Sequence, residues 1–157
     1  MLKFRFIAPN GPDYAAERML RWEVLRKPLG MPPGSEGLPE DEQSLHLIAS
    51  IGKKIVGCVC FYPETESNGR IFQMAVSEEY QGRGFGRQLL QALERSLIKR
   101  GVRDVYLYVR SESEGFYQRM GYCGEGDLIK RFGEMYRLMK KVLPSSQQEA
   151  IPNYKEA

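Results

Sequence analysis

Histidine is nearly missing from this 157-residue chain, where His46 is the only one. A Ser-His triad or a multi-histidine metal centre therefore has little to draw on. Cysteine is scarce as well: there are three, and Cys58 and Cys60 lie two apart without the further Cys or His partners of a zinc pattern. Reduced, partly buried thiols are expected, and no metal. No apolar run approaches the roughly twenty residues of a membrane span. The start, Met1-Leu2-Lys3-Phe4-Arg5-Phe6, alternates where a signal peptide would be continuously apolar. A cytoplasmic location is the expectation. One-sided charge is also lacking, because 23 Lys and Arg face 20 Asp and Glu for a net +3. That excess is too small to argue for nucleic acid as a substrate.

What is present is ordinary globular material, 42% hydrophobic and 27% charged, in a length that suits one domain. Leu2 to Ala8 alternates like a half-buried strand, and Pro9-Asn10-Gly11-Pro12-Asp13 ends it, with Asp13 placed to cap a helix. The spacing predicts that helix from Tyr14 to Lys27, closed by Pro28. Leu29 to Gln43 has Pro32-Pro33-Gly34, Gly37 and Pro39 among four carboxylates and no periodicity, which reads as a functional or disordered loop. Ser44–Ile51 and Lys54–Tyr62 are β-rich and separated by Gly52-Lys53, a hairpin signal. Ile71–Val76 reads as another strand, and Gly84–Arg100 as the clearest helix, with Leu89, Leu90, Leu93, Leu97 and Ile98 on one stripe. A strand at Val105–Val109 and a closing strand at Met135–Met139 follow. Residues 144–157 are polar and read as a tail beyond a domain of residues 1–143.

Between the Ile71–Val76 strand and the long helix lies Gln81-Gly82-Arg83-Gly84-Phe85-Gly86. A glycine turn opening into a helix presents backbone N–H groups at a positive terminus, which suits a pyrophosphate. The dinucleotide fingerprint G-x-G-x-x-G fails, since Arg87 or Leu89 stands where the third glycine belongs, and the Gly-Lys-Ser/Thr ending of a Walker loop is absent. A second motif, Ser111-Glu112-Ser113-Glu114-Gly115-Phe116-Tyr117-Gln118-Arg119-Met120-Gly121-Tyr122, gives a Ser-capped short helix stopped at Gly121.

Gln-x-x-Gly-x-Gly in the first place and Phe-Tyr-x-x-x-Gly-Tyr in the second resemble the GNAT superfamily of acyl-CoA-dependent N-acyltransferases, over roughly residues 1–141. The resemblance implies an α/β (α+β) fold: a mixed, mainly antiparallel sheet of six to seven strands, flanked by helices and split between central strands. It implies acetyl-CoA as cosubstrate, its pyrophosphate on Gln81, Gly82, Arg83, Gly84, Phe85, Gly86 and Arg87, and its thioester beside the main chain of Met74, Ala75 and Val76. Phe116 would pack by the pantetheine arm or the helix, and Tyr117 would serve as general acid toward the departing thiolate. A phenol, protonated at neutral pH, suits that task. Arg110 and Ser113 stand where many members carry asparagine and alanine, so the usual amide contact to the cofactor does not carry over.

The acceptor would be a small-molecule or peptide amine, with Arg21, Arg26, Glu36, Glu40 and His46 as candidates on its side. The base is open among Glu36, Glu40, His46 and water, because Arg70, Gln73 and Met74 offer no carboxylate before the glycine turn. Dimers are common in the resembling family, so a homodimer is allowed. A non-catalytic acyl-CoA sensor or interaction module on the same fold is the alternative.

Overall fold

The computed structural model describes residues 1–146. Seven strands form one sheet in the order β1-β2-β3-β4-β5-β7-β6, a mixed and mainly antiparallel α/β architecture. The chain clusters into two compact units, Met1–Tyr62 with Ile71–Leu93, and Pro63–Arg70 with the chain from Glu94 onward.

In the first unit, β1 (Leu2–Ile7) pairs antiparallel with β2 (Leu45–Ile51), which pairs antiparallel with β3 (Lys54–Pro63). The hairpin expected at Gly52-Lys53 is present, with Ser50 opposite Ile55 and Ile51 opposite Lys54. β2 is buried from His46 to Ser50 without alternation, so both of its faces are covered. Helix α1 (Gly11–Arg21) starts at Asn10. Asp13 does not cap it: Asp13 lies within the first turn and accepts a 2.8 Å hydrogen bond from Arg5.

The α-helix also stops earlier than its apolar spacing predicts, passing at Trp22 into a π-turn (Trp22–Arg26) and then a 3₁₀ turn (Lys27–Leu29). Pro28 is the physical cause, since it has no N–H to donate and its ring crowds the preceding turn. Trp22 Nε1 then donates to Met31 O at 3.0 Å and folds the chain back. The stretch expected as an irregular loop is organised by tight turns and a second 3₁₀ segment, Pro39–Gln43.

The core of this unit gathers Leu20, Ile48, Cys58 and Ala75, with Ile7, Val24, Leu25 and Ile55 packed against them. β4 (Asn68–Val76) carries Ala75 into it, and helix α2 (Phe85–Lys99) lies close above. A Cβ on Gly57 would sit 3.3 Å from Leu89 and 3.4 Å from the carbonyl of Ala75, so a side chain there would wedge helix from sheet. The stripe predicted for α2 is the buried one: Leu89, Leu90, Leu93 and Leu97 are fully buried and Ile98 nearly so. Each such side chain contributes on the order of 2 kcal/mol, an upper figure because denatured chains already hide some surface.

In the second unit, β4 and β5 (Asp104–Arg110) run parallel, paired from Asn68 to Arg70 against Asp104 to Tyr106. β5 pairs antiparallel with β7 (Glu134–Val142), Leu107 opposite Met139, and buries Val105, Leu107 and Val109 on one face. Arg103 and Leu143 exchange hydrogen bonds, Leu143 N to Arg103 O at 2.6 Å and Arg103 Nε to Leu143 O at 2.9 Å, which fastens the end of β7. Helix α3 (Glu114–Arg119) fills the place of the second motif, and the strand that follows its glycine, β6 (Cys123–Arg131), forms the outer edge. Its ladder to β7 shifts register between Glu125 and Ile129. Of the tail beyond Leu143, residues 147–157 lie outside the described part. Among the described residues, no helix is long and apolar enough to cross a membrane.

Candidate functional site

The turn between β4 and α2 is built by local rules. Ser77 N donates to Val56 O at 2.8 Å and Gln81 Nε2 donates to Val76 O at 2.8 Å, so the end of β4 is tied before the chain turns. Gly82 and Gly84 then adopt φ of 78° and 80°, left-handed values that favour glycine. A Cβ at either would meet nothing within 4 Å, so this main chain is open to a ligand. Helix α2 begins at Phe85 with no acidic residue in its first turn. Its first N–H groups point outward as at any helix start, and Arg83 and Arg87 are exposed beside them. Tyr80 organises the approach: it stacks on Phe85 with ring centroids 6.0 Å apart and takes Arg83 and Lys54 over its ring, while Lys54 pairs with Glu79. The arrangement offers backbone donors and guanidinium groups to an anion.

Behind the turn, β4 contains a residue in an unusual conformation. Gln73 has φ of 54°, the left-handed region that a non-glycine residue seldom occupies. Cys58 Sγ lies 3.4 Å from its carbonyl, and its side chain donates to Glu36 O at 3.3 Å. Met74, Ala75 and Val76 follow directly, Ala75 buried and its two neighbours partly so.

Three of the acceptor-side candidates come together in a buried polar network. Arg21, one helical turn after Glu17 on α1, donates to Glu17 at 2.8 Å and to both carboxylate oxygens of Asp41 at 3.0 and 3.2 Å. It also donates to the main-chain oxygen of Glu36 at 2.5 Å. Glu17, Arg21 and His46 are each 0% exposed. His46 Nε2 sits 2.8 Å from Asp41 O, a carbonyl that only accepts, and Nδ1 sits 2.9 and 3.0 Å from the two oxygens of Glu17. With Glu17 ionised both ring nitrogens donate, which is the imidazolium form. Burial opposes its charge, but the bond to Glu17, then Asp41, outweigh it and raise its pKa. Two cations and two anions thus balance within one desolvated cluster.

The donor atoms of Glu17, His46 and Cys60 lie within 4.8 Å of one another, close enough to surround an ion. Arg21 and His46 already share the Glu17 carboxylate between them. Cys60 Sγ, 3.2 Å from His46 Nδ1, and Cys58 both have thiol pKa values pushed up, first by burial and next by Glu17, which keeps them protonated.

Glu36 is held separately. Its carboxylate takes Arg18 Nε at 2.5 Å and the N–H of Gly34 at 2.8 Å. Burial disfavours its charge, yet its own N–H, that of Gly34 and the Arg18 guanidinium together hold its pKa below the usual carboxylate value. Arg26, in the π-turn, and Glu40, at the start of the 3₁₀ segment, are half-buried. Asp41 is one of the four loop carboxylates noted in the sequence, whereas Glu17 is a member that its residue type alone did not mark. The i to i+4 spacing of Glu17 and Arg21 is a signal that was available.

In the second unit, α3 places Phe116 and Tyr117 on successive positions, their rings edge to face at 5.0 Å. Tyr117 is 9% exposed and stands edge to face with Tyr122 at 5.8 Å. Burial pushes its phenol up to about 12. The segment is locked beneath it: Tyr122 OH donates to Glu94 at 2.6 Å, and Lys141 Nζ donates to Glu94 at 2.8 Å and to Met120 O at 2.7 Å. Ser113 occupies the N-cap position without the side-chain bond expected of it, and Gly121 at φ 93° ends the motif as expected. Arg110 pairs with Glu112 at 3.0 Å.

Residues 14–122 match the model of the Acetyltransferase (GNAT) family. A plant relative, GCN5-related N-acetyltransferase 2, chloroplastic, from Arabidopsis thaliana, is 32% identical over 78 residues, which are 50% of this chain and 30% of that protein. The chain therefore spans less than a third of that relative. An acyl-CoA N-acyltransferase from Pseudomonas aeruginosa has the same fold at a TM-score of 0.78 and 19% identity, covering 90% of this chain and 99% of that one. A GNAT family acetyltransferase from Elizabethkingia anophelis with acetyl-CoA bound superposes at 0.68 and 18% identity, covering 90% and 98%.

Proposed function

This chain belongs to the GNAT acetyltransferase family, and from that premise we propose that it transfers an acetyl group from acetyl-CoA directly to a primary amine, with Tyr117 as general acid. The observation that carries the reading is the turn at Gly82 and Gly84, whose open main chain meets a helix start flanked by Arg83 and Arg87. Acetyl-CoA supplies the activated acyl group. The turn would hold its pyrophosphate, and the main-chain N–H groups of the Met74–Val76 stretch would polarise its carbonyl.

Tyr117 suits donation because its phenol, pushed up to about 12, stays protonated throughout the neutral range. As general acid it would hydrogen-bond the charge growing on sulfur, give its proton to the departing thiolate as the C–S bond breaks, and regain one from solvent. Glu36 is a poor base while Arg18 lowers its proton affinity, and the imidazolium form of His46 has no free lone pair, which leaves Glu40 or water as the base.

The acceptor is an amine of a small molecule or peptide. Titration calorimetry with acetyl-CoA tests the first half; the absence of heat at millimolar ligand would remove the proposal. Thiol release across a panel of amines tests the second. Binding without release would favour a non-catalytic acyl-CoA sensor, which the lack of a carboxylate on β4 also suits.

A further inference from the structure

The main-chain oxygen of Glu36 is the meeting point of two elements that have no sequence relation to each other. Arg21 Nη2 on helix α1 reaches it at 2.5 Å, and Gln73 Nε2 on β4 reaches it at 3.3 Å. The side chain of the same residue is fixed by Arg18 and Gly34. We propose that Glu36 is the anchor of the 30–44 segment, and that Gln73 is a positioning residue through which the seating of that segment sets the backbone of Met74–Val76.

The backbone of Gln73 supports the assignment. A left-handed non-glycine residue is strained and persists only when its surroundings determine it. Glycine would hold the same φ without that cost. Gln73 is 9% exposed, its amide is spent on Glu36, and Cys58 Sγ approaches its carbonyl, so both ends of the residue are held.

The far side of the anchor is rigid for an electrostatic reason. Arg21 cannot leave Glu36 without abandoning Glu17 and Asp41 inside a charge-balanced cluster that includes His46. Asp41 belongs to the same segment as Glu36, and Tyr14 OH adds a 2.7 Å bond to it. The segment is therefore gripped by α1 at Glu36 and Asp41, by β4 at Glu36, and by His46 of β2 at Asp41 O. A shift of the segment pulls on Gln73, and with it on the residues next in line. The link to acetyl transfer rests on the function proposed above; the anchor itself does not.

Two variants separate the amide from the backbone: Gln73→Gly keeps the left-handed turn and removes the amide, while Gln73→Ala removes the amide and keeps the strain. Hydrogen exchange is followed at residues 34–43, with acetyl-CoA affinity by calorimetry and, for an amine that is turned over, KM and kcat. Both variants are expected to exchange roughly fivefold faster at 34–43, the loss of one buried hydrogen bond. Both should also raise the acceptor KM more than they alter acetyl-CoA affinity. If Gln73→Gly exchanges like the parent, the position serves only backbone geometry and the anchor assignment falls. If exchange rises in both while KM and kcat stay unchanged, the anchor stands and the positioning role falls. Should no amine be turned over, the exchange comparison still decides the anchor, whereas the transferase reading fails separately.

Discussion

Glu17 and Arg21 stand one helical turn apart on α1, both wholly buried and joined at 2.8 Å, so a pair of opposite charges lies where water does not reach. Removing one member of such a pair leaves the other's charge without compensation.

Arg21→Ala is therefore expected to lower the unfolding free energy by about 3–5 kcal/mol, read by urea denaturation. The same change at Arg5, whose pair with Asp13 is exposed at the same 2.8 Å, should move the midpoint far less. Equal effects would contradict the burial argument.

The protonation of His46 gives a pH dependence of definite sign. Its folded pKa lies above the ordinary 6.5. The stabilisation it supplies is then fully present below pH 6.5 and is lost as pH rises through the raised folded value. The parent should lose stability above pH 6.5 relative to His46→Gln, measured by denaturation between pH 6 and 9. Because the chain has one histidine, a single pair of imidazole ¹⁵N signals reports the state directly. Both nitrogens should be protonated at pH 7; a neutral tautomer would undo the charge balance.

Tyr117→Phe should slow acetyl transfer by about 10²- to 10⁴-fold with acetyl-CoA affinity nearly unchanged, measured by steady-state kinetics and calorimetry. Tyr122→Phe makes an instructive contrast. It deletes the donor to Glu94, which also takes Lys141, and its cost should appear as about 1–3 kcal/mol of stability.

Gly84→Ala meets no steric obstacle, yet it places a Cβ in a left-handed residue at φ 80°. The strain should cost about 1–2 kcal/mol of stability, and the displaced turn is expected to bind acetyl-CoA roughly tenfold more weakly. Unchanged affinity would separate this turn from the cofactor.

Much of the frame was legible because its signals are local. The stripe of Leu89, Leu90, Leu93, Leu97 and Ile98 needs only helical spacing, and the turn at Gly52-Lys53 needs only two residues between two apolar runs. β6 gave no such signal: from Cys123 to Arg131 every residue is exposed, so no alternation distinguishes it from a loop. The acceptor side was hidden for another reason. Asp41 and Glu36 reach Arg21 across 20 and 15 positions, and His46 reaches Glu17 across 29, distances over which a sequence pattern records no partner. The left-handed backbone of Gln73 has no counterpart in residue type at all, since glutamine rarely adopts it.

The register shift between Glu125 and Ile129 affects how this molecule meets others of any kind. An outermost strand with a regular row of unsatisfied amides is a template for foreign chains, and a break in that row, set among acidic and basic side chains, denies them a straight run to zip onto. Deleting the extra residues to straighten β6 would leave the fold's interior untouched and make concentrated solutions prone to fibrous precipitation.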